Sequence, residues 1–297
     1  MGLGGFGGLG NIYIGVFVKR FMKKGQVTVF IIVGLLIVGI VGGVGYSIKV
    51  NKDAKLSEEF FSSIEIKPQI NNLQSSVFNC MDQVSKDGLE EIGIQGGFYE
   101  KPKKFFDLEW AFIPYYYYEG DFFMPSKKTI ESELSKYVND NLKICLDEID
   151  SGDFEMNYKT AKTKTFIREK EVGFNIDLGV GIEKEGNKIT LELEEFPVVV
   201  DSALSSILEV AEYYTYTHKE DPKMVCISCL GEVAEERDLY VDAINFDANT
   251  ILVVISENMT ASEPYAFEFL NKYTGDEISP KDEVGDSLGV PVAPNKE

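Results

Sequence analysis

Residues 171–193 read EVGFNIDLGVGIEKEGNKITLEL, and the spacing of their apolar side chains decides the fold class. Val172, Phe174, Ile176, Leu178, Val180 and Ile182 alternate with polar or small residues without a break. A period of two puts every second side chain on one face, the pattern of a half-buried strand. Glu185-Gly186-Asn187 supplies turn residues, and Ile189, Leu191 and Leu193 carry the alternation back. The stretch therefore predicts a β-hairpin built on one long strand.

On the N-terminal side the period changes to that of a helix. Ile70, Leu73, Val77, Cys80, Met81, Val84 and Ile92 recur mostly every three or four residues between Lys67 and Ile92. Pro68 fits a first turn, and Gly93, Gly96 and Gly97 mark the stop. A second helix runs from Ser126 to about Ile149, with Ile130, Leu134, Tyr137, Val138, Cys145 and Ile149 on one face, Ser126 as N-cap, and Ser151-Gly152 ending it. Towards the C-terminus, Asp201–Tyr216 returns to helical spacing with Asp201 as N-cap, and Val225–Glu236 is a further short helix. Leu239–Phe246 and Thr250–Ser256 form a second hairpin around Asp247-Ala248-Asn249, and Tyr265–Leu270 adds a strand. Helices and strands in separate runs predict an α+β fold: a two-helix unit, then antiparallel β-hairpins with an intervening helix.

Further towards the N-terminus stands a segment of different character. Gly25–Ile48 carries no charge, and the twenty residues Val27–Tyr46 read VTVFIIVGLLIVGIVGGVGY. At about 1.5 Å per residue such a helix covers about 30 Å, the apolar thickness of a bilayer. A single transmembrane helix over residues 26–48 is the expectation, with the lipid bilayer as partner. Lys19, Arg20, Lys23 and Lys24 precede it with no acid among residues 1–25, so the remainder carries −24 against −20 for the whole chain. The basic flank stays cytoplasmic and the rest is exported. Gly39 and Gly43 have the spacing at which two membrane helices approach closely, and give a surface for self-association. The expected organisation is then a cytoplasmic basic leader over 1–25, the membrane helix over 26–48, a charged helical stalk from Lys49 to Ile66 opening an extracellular α+β domain over 49–273, and a disordered acidic tail over 274–297. Met22 opens a compact basic start, and residues 1–21 read as an extension ahead of it.

The border Lys23-Lys24-Gly25-Gln26-Val27-Thr28 resembles an archaeal class III, prepilin-type signal. That resemblance implies a prepilin-type peptidase as partner, a cut between Gly25 and Gln26, and an apolar helix that packs as a filament core. Where the family pattern has a glutamate five residues after the cut, this chain has Phe30. More widely, the chain resembles single-pass surface proteins of small-genome archaea, a family to which no activity attaches. The likeness lies in the KGQVT segment, a helix with Cys80, the stretch IGIQGG at Ile92–Gly97, and a second helix with Cys145 ahead of strands.

The chemistry-bearing residues are few. Cys80, Cys145, Cys226 and Cys229 all fall on the side expected to be exported, where an even number of cysteines points to disulfides. Cys80 and Cys145 lie on the inward faces of the two neighbouring helices, placed for a bridge; two buried thiols are the other reading. Cys226-Ile227-Ser228-Cys229 reads as a local disulfide, half a metal site or a redox dithiol. His218 is the only imidazole in 297 residues, which disfavours zinc and catalytic designs built on several histidines, and Glu232, Glu235 and Glu236 disfavour an activated thiolate. Asn258-Met259-Thr260 is a glycosylation sequon. Phe98–Pro125 is rich in aromatics, among them Trp110 and Tyr115, Tyr116, Tyr117 and Tyr118. Aromatic loops stack on sugars or make protein contacts; the alternative, which the sequence favours, is that these rings pack into the core.

The charge of −20 repels phosphate backbones and speaks against nucleic-acid binding. No Walker, GxSxG, HExxH or DxDxDG motif occurs, and neither a metal nor a cofactor is expected. The sequence thus predicts a non-enzymatic, membrane-anchored archaeal cell-surface protein for envelope structure or contact, with a pilin-like subunit as its sharper form. A ligand-binding receptor or adhesin using residues 98–125 is the alternative, and a CxxC thiol oxidoreductase the third.

Overall fold

A computed structural model describes residues 60–63, 66–193, 197–220, 227–257 and 264–274. The leader, the apolar segment with Gly39 and Gly43, most of the stalk, Cys226, Asn258 and the tail from residue 275 lie outside the described residues, as does the side chain of Cys229. Among the described residues no helix is long and apolar enough to cross a membrane.

Helix α1 (Lys67–Ile94) buries Ile70, Leu73, Val77, Cys80, Met81, Val84, Leu89 and Ile92, the positions its spacing selects. Its end is a Schellman motif. The Gly97 N–H donates to the Ile92 carbonyl at 2.8 Å and the Gly96 N–H to the Gly93 carbonyl at 3.1 Å. Both glycines sit at positive φ, +51° and +86°, where a side chain would be strained. Helix α2 (Lys127–Asp147) starts as expected: Ser126 Oγ accepts from the Thr129 N–H. Its apolar face packs on α1, and Cys80 and Cys145 are joined by a disulfide with Cα atoms 5.7 Å apart.

The segment between these helices is not a loop. It forms β1 (Phe105–Asp107), β2 (Phe112–Tyr118) and β3 (Asp121–Phe122). After α2 come β4 (Glu155–Tyr158) and β5 (Lys162–Ile167), then β6 (Glu171–Asp177), β7 (Gly179–Lys184), β8 (Asn187–Glu192) and β9 (Val198–Asp201). The long strand expected over residues 172–182 is thus two strands broken at Leu178. β6 lies in a sheet of order β5-β6-β9, whereas β7 lies in another of order β4-β7-β8. Its apolar residues Val172, Phe174, Ile176, Leu178, Val180 and Ile182 are all buried, so the alternation reported facing correctly. It carries no information on which strand pairs with which. The β7–β8 hairpin turns at Glu185 and Gly186, both at positive φ, the conformation a two-residue type I′ turn needs.

Helix α3 (Leu204–Glu220) is not capped by Asp201, which ends β9; the Leu204 N–H donates to Ser202 Oγ, and the Ala203 N–H to Glu257 at 2.6 Å. Helix α4 (Ile227–Glu235) precedes the expected hairpin of β10 (Leu239–Asp247) and β11 (Thr250–Glu257), and β12 (Ala266–Lys272) follows. These join the aromatic strands in a six-stranded sheet of order β1-β2-β12-β11-β10, with β3 on β2. The fold is mixed α+β, and its described sheets are antiparallel except for the parallel pair β2–β12.

One device closes an open edge. β5 borders its sheet, and its outward N–H groups at Thr163, Thr165 and Ile167 donate to Asn139, Ser135 and Glu131 of α2 at 2.9, 3.1 and 3.0 Å. Outward N–H groups on a strand come every second residue, 6.6–6.8 Å apart. Acceptors one helical turn apart, about 6 Å, match that step. A polar stripe on α2 therefore covers the edge strand.

Candidate functional site

The six-stranded sheet has two apolar faces. One packs on α1 through Phe267, Phe269, Ile251, Val253 and Ile255, all in the main core. Ile113 and Leu270 are buried too, yet stand apart from that core. Leu270 lies opposite Leu252 on β11 and Tyr115 on β2, and Leu252 lies opposite Ile244 on β10. The second face is built on this row.

A bulge explains how β2 serves both faces. Its register on β12 steps from Tyr115↔Leu270 to Tyr117↔Asn271, so two residues of β2 oppose one of β12. Tyr116 and Tyr117 both turn inward and are buried, leaving Tyr115 and Tyr118 on the other side. The Tyr117 N–H, displaced by the bulge, donates to Asn271 Oδ1. Tyr116 Oη donates to the Gly96 carbonyl at 2.9 Å, and its ring stacks on Phe269 with centroids 4.3 Å apart. The four consecutive tyrosines are therefore not one surface. Two are core and two are half-exposed.

Tyr115 and Tyr118 meet edge to face at 5.0 Å. Lys104 Nζ lies 4.1 Å and Lys272 Nζ 4.9 Å from the Tyr118 ring centre, and Lys272 pairs with Glu119 at 3.1 Å. The hydrogen bond to Glu119 holds the Lys272 ammonium above its usual range, and burial pushes the Tyr115 phenol up. Trp110, at the tip of the β1–β2 turn, is 79% exposed.

The face is concave. Phe106 on β1 and Phe246 on β10 touch edge to face at 4.9 Å, although their strands stand at opposite ends of the sheet. Four strand spacings of about 4.8 Å make about 19 Å, more than two phenylalanine side chains bridge across a flat sheet. The sheet must curl to bring them together. Glu268 sits on this face opposite Val254, half-buried, and burial raises its carboxyl above the usual range. Phe106 belongs to the aromatic segment the sequence singles out, but Phe246, Ile244 and Glu268 escape a sequence reading because the bulge, the parallel pairing and the curl that gather them with it have no local signal.

Clefts also lie elsewhere, among them two lined by titratable side chains. One of about 280 Å³ is lined by Lys143 and Tyr158, whose hydroxyl hydrogen-bonds Asp147; the other, of about 380 Å³, is lined by Glu90, Asp201, Glu257 and Tyr265. The described residues hold no group of three or more His, Cys, Asp or Glu arranged to take a metal ion. No protein-family model matches this chain, and neither a curated protein nor a solved structure matches it.

Proposed function

We propose that the chain is a membrane-anchored archaeal cell-surface protein whose α+β domain is exported and serves envelope structure or contact rather than catalysis. The observation that carries this reading is the Cys80–Cys145 bridge downstream of an uncharged stretch long enough to span a bilayer. Disulfides persist where the surroundings are oxidising, so the bridge supports export of the same part that the basic flank assigns to the outside. The sharper form, a pilin-like subunit cut between Gly25 and Gln26, rests on the Lys-Lys-Gly-Gln border.

The test is the state of the native protein in the membrane fraction, read by mass spectrometry without reduction. A mature start at Gln26 supports the pilin-like form; a start at Met1 or Met22 replaces it with a permanent anchor. Recovery from the cytosol with Cys80 and Cys145 as thiols sinks the export reading altogether. A second reading, a receptor or adhesin using residues 98–125, is favoured by the exposure of Trp110 and by the second apolar face. In it Trp110, Tyr115 and Tyr118 bind, and Tyr116 and Tyr117 hold the strand.

A further inference from the structure

Antiparallel sheets commonly turn one face to the core and the other to water. Here the face turned away from the main core ends in exposed apolar side chains. Phe106 packs on Phe246; Ile244 and Tyr240 follow on the same side of β10, 50% and 52% exposed; Trp110 stands at the β1–β2 turn. A pair of large aromatic side chains meeting in a concavity, with exposed apolar residues on the same strand, has the composition of interface centres.

Acids without an ion-pair partner outnumber such lysines around them. Glu109 adjoins Trp110, Asp242 lies between Tyr240 and Ile244, Asp247 follows Phe246, and Glu268 lies within the face. Their side chains have no cationic partner among the described residues. Of the nearby lysines, Lys101 pairs with Asp107 at 2.8 Å, Lys272 pairs with Glu119, and Lys104 lies over the Tyr118 ring. We propose that this face docks a protein segment of opposite character, with apolar side chains at its centre and lysine or arginine at its rim. The inference deepens the contact reading above and rests on it.

Charge complementarity selects this occupant over others. A second copy meeting the face about a two-fold axis would set the same carboxylates of both chains against one another, on molecules of −20 each. An anionic lipid surface is repelled for the same reason. A neutral sugar would stack on the rings and leave four carboxylates unused.

The chain carries its own reporter, because Trp110 is its only tryptophan. The full chain in nanodiscs of zwitterionic lipid is titrated with an acetylated Lys-Val-Lys-Phe-Lys-Val-Lys peptide, and with its counterpart in which glutamate replaces lysine. The basic peptide should shift Trp110 emission to the blue in a saturable way. Glu109→Gln with Asp242→Asn, both at exposed positions, should weaken it about tenfold, and so should raising salt from about 0.05 to about 0.3 M. Ile244→Ser should weaken it at unchanged salt dependence, and an unaltered melting curve shows each variant folded. Equal binding of the two peptides, no shift with either, or a shift that follows protein concentration alone each overturns the proposal. The readout is independent of where the cell places the protein, so its failure leaves the export proposal standing.

Discussion

The stripe of α2 over the edge of β5 makes the most demanding prediction about the fold. Replacing Glu131, Ser135 and Asn139 with alanine leaves three β5 N–H groups facing a helix with nothing to accept from them. Each neutral acceptor removed should cost about 1 kcal/mol, and the carboxylate about 2 kcal/mol, giving about 4 kcal/mol if the sites were independent. Two corrections act against this. Alanine is a better helix former than serine or asparagine by about 0.5 kcal/mol each. The three sites are also neighbours, and Ser135 Oγ is bonded to the Glu131 carbonyl and to Thr165 Oγ1, so losses overlap. A net loss of about 2–3 kcal/mol remains. With a urea slope of about 2 kcal/mol/M, the unfolding midpoint should fall by more than about 1 M. Amide exchange supplies the pattern: Thr163, Thr165 and Ile167 should lose protection while Lys162, Lys164 and Phe166, whose N–H groups face β6, keep theirs. A triple variant with its midpoint unmoved, or with all six amides affected alike, would refute the idea that the helix satisfies this edge.

Reduction of the Cys80–Cys145 bridge should cost about 4 kcal/mol, worked from loop closure over a sequence separation of 65, and lower the urea midpoint accordingly; equal midpoints with and without reductant would show the bridge to be idle. Tyr116→Phe and Tyr265→Phe remove chemically identical hydroxyls with opposite expectations. The first loses the bond to the Gly96 carbonyl and should destabilise by about 1 kcal/mol, whereas the second removes a buried hydroxyl without a partner among the described residues and should be neutral or stabilising by thermal melt. Burial raises the Glu268 carboxyl in the folded state, so its protonated form is the better tolerated one and its favourable contribution is lost as pH rises through the folded value. Glu268→Gln should therefore match the parent in acid and gain on it as pH rises past the usual glutamate range; a constant difference across pH contradicts the assignment.

What the sequence shows and hides follows from the reach of each signal. Helices α1 and α2 and the β10–β11 hairpin are legible because periodicity, Ser126 and the glycines at 96 and 97 act within a few residues. β5 is hidden because its inward positions include Thr163 and Thr165, which read as polar, and β2 because a bulged strand of aromatics has no alternation to count. The stripe of Glu131, Ser135 and Asn139 reads as an ordinary solvated helix face until β5 lies beside it. Leu178 shows a subtler limit: burial is continuous through it, yet the chain changes sheets there, since side-chain period and backbone pairing are separate quantities. At the candidate site the aromatic richness was visible, but which rings face out was not. That choice belongs to a register shift against β12, which lies more than 140 residues away in sequence.

The glycine-rich end of α1 ties these observations together. A Cβ at Gly96 would lie 2.5 Å from the Glu268 carbonyl oxygen and 2.5 Å from Pro114 Cγ, and one at Gly93 would lie 2.4 Å from the Ala266 carbonyl oxygen. The helix therefore ends directly against the backbone of β12 and the Pro114 ring of β2, closer than any side chain permits. Tyr116 locks the contact by donating to Gly96, and it turns inward because of the bulge that sends Tyr115 outward. The IGIQGG stretch thus acts through packing: it seats the two parallel strands whose far side carries Tyr115, Glu268 and Leu270. A surface built this way is pre-positioned by the core behind it, and a partner meeting it need order little of this protein in order to bind.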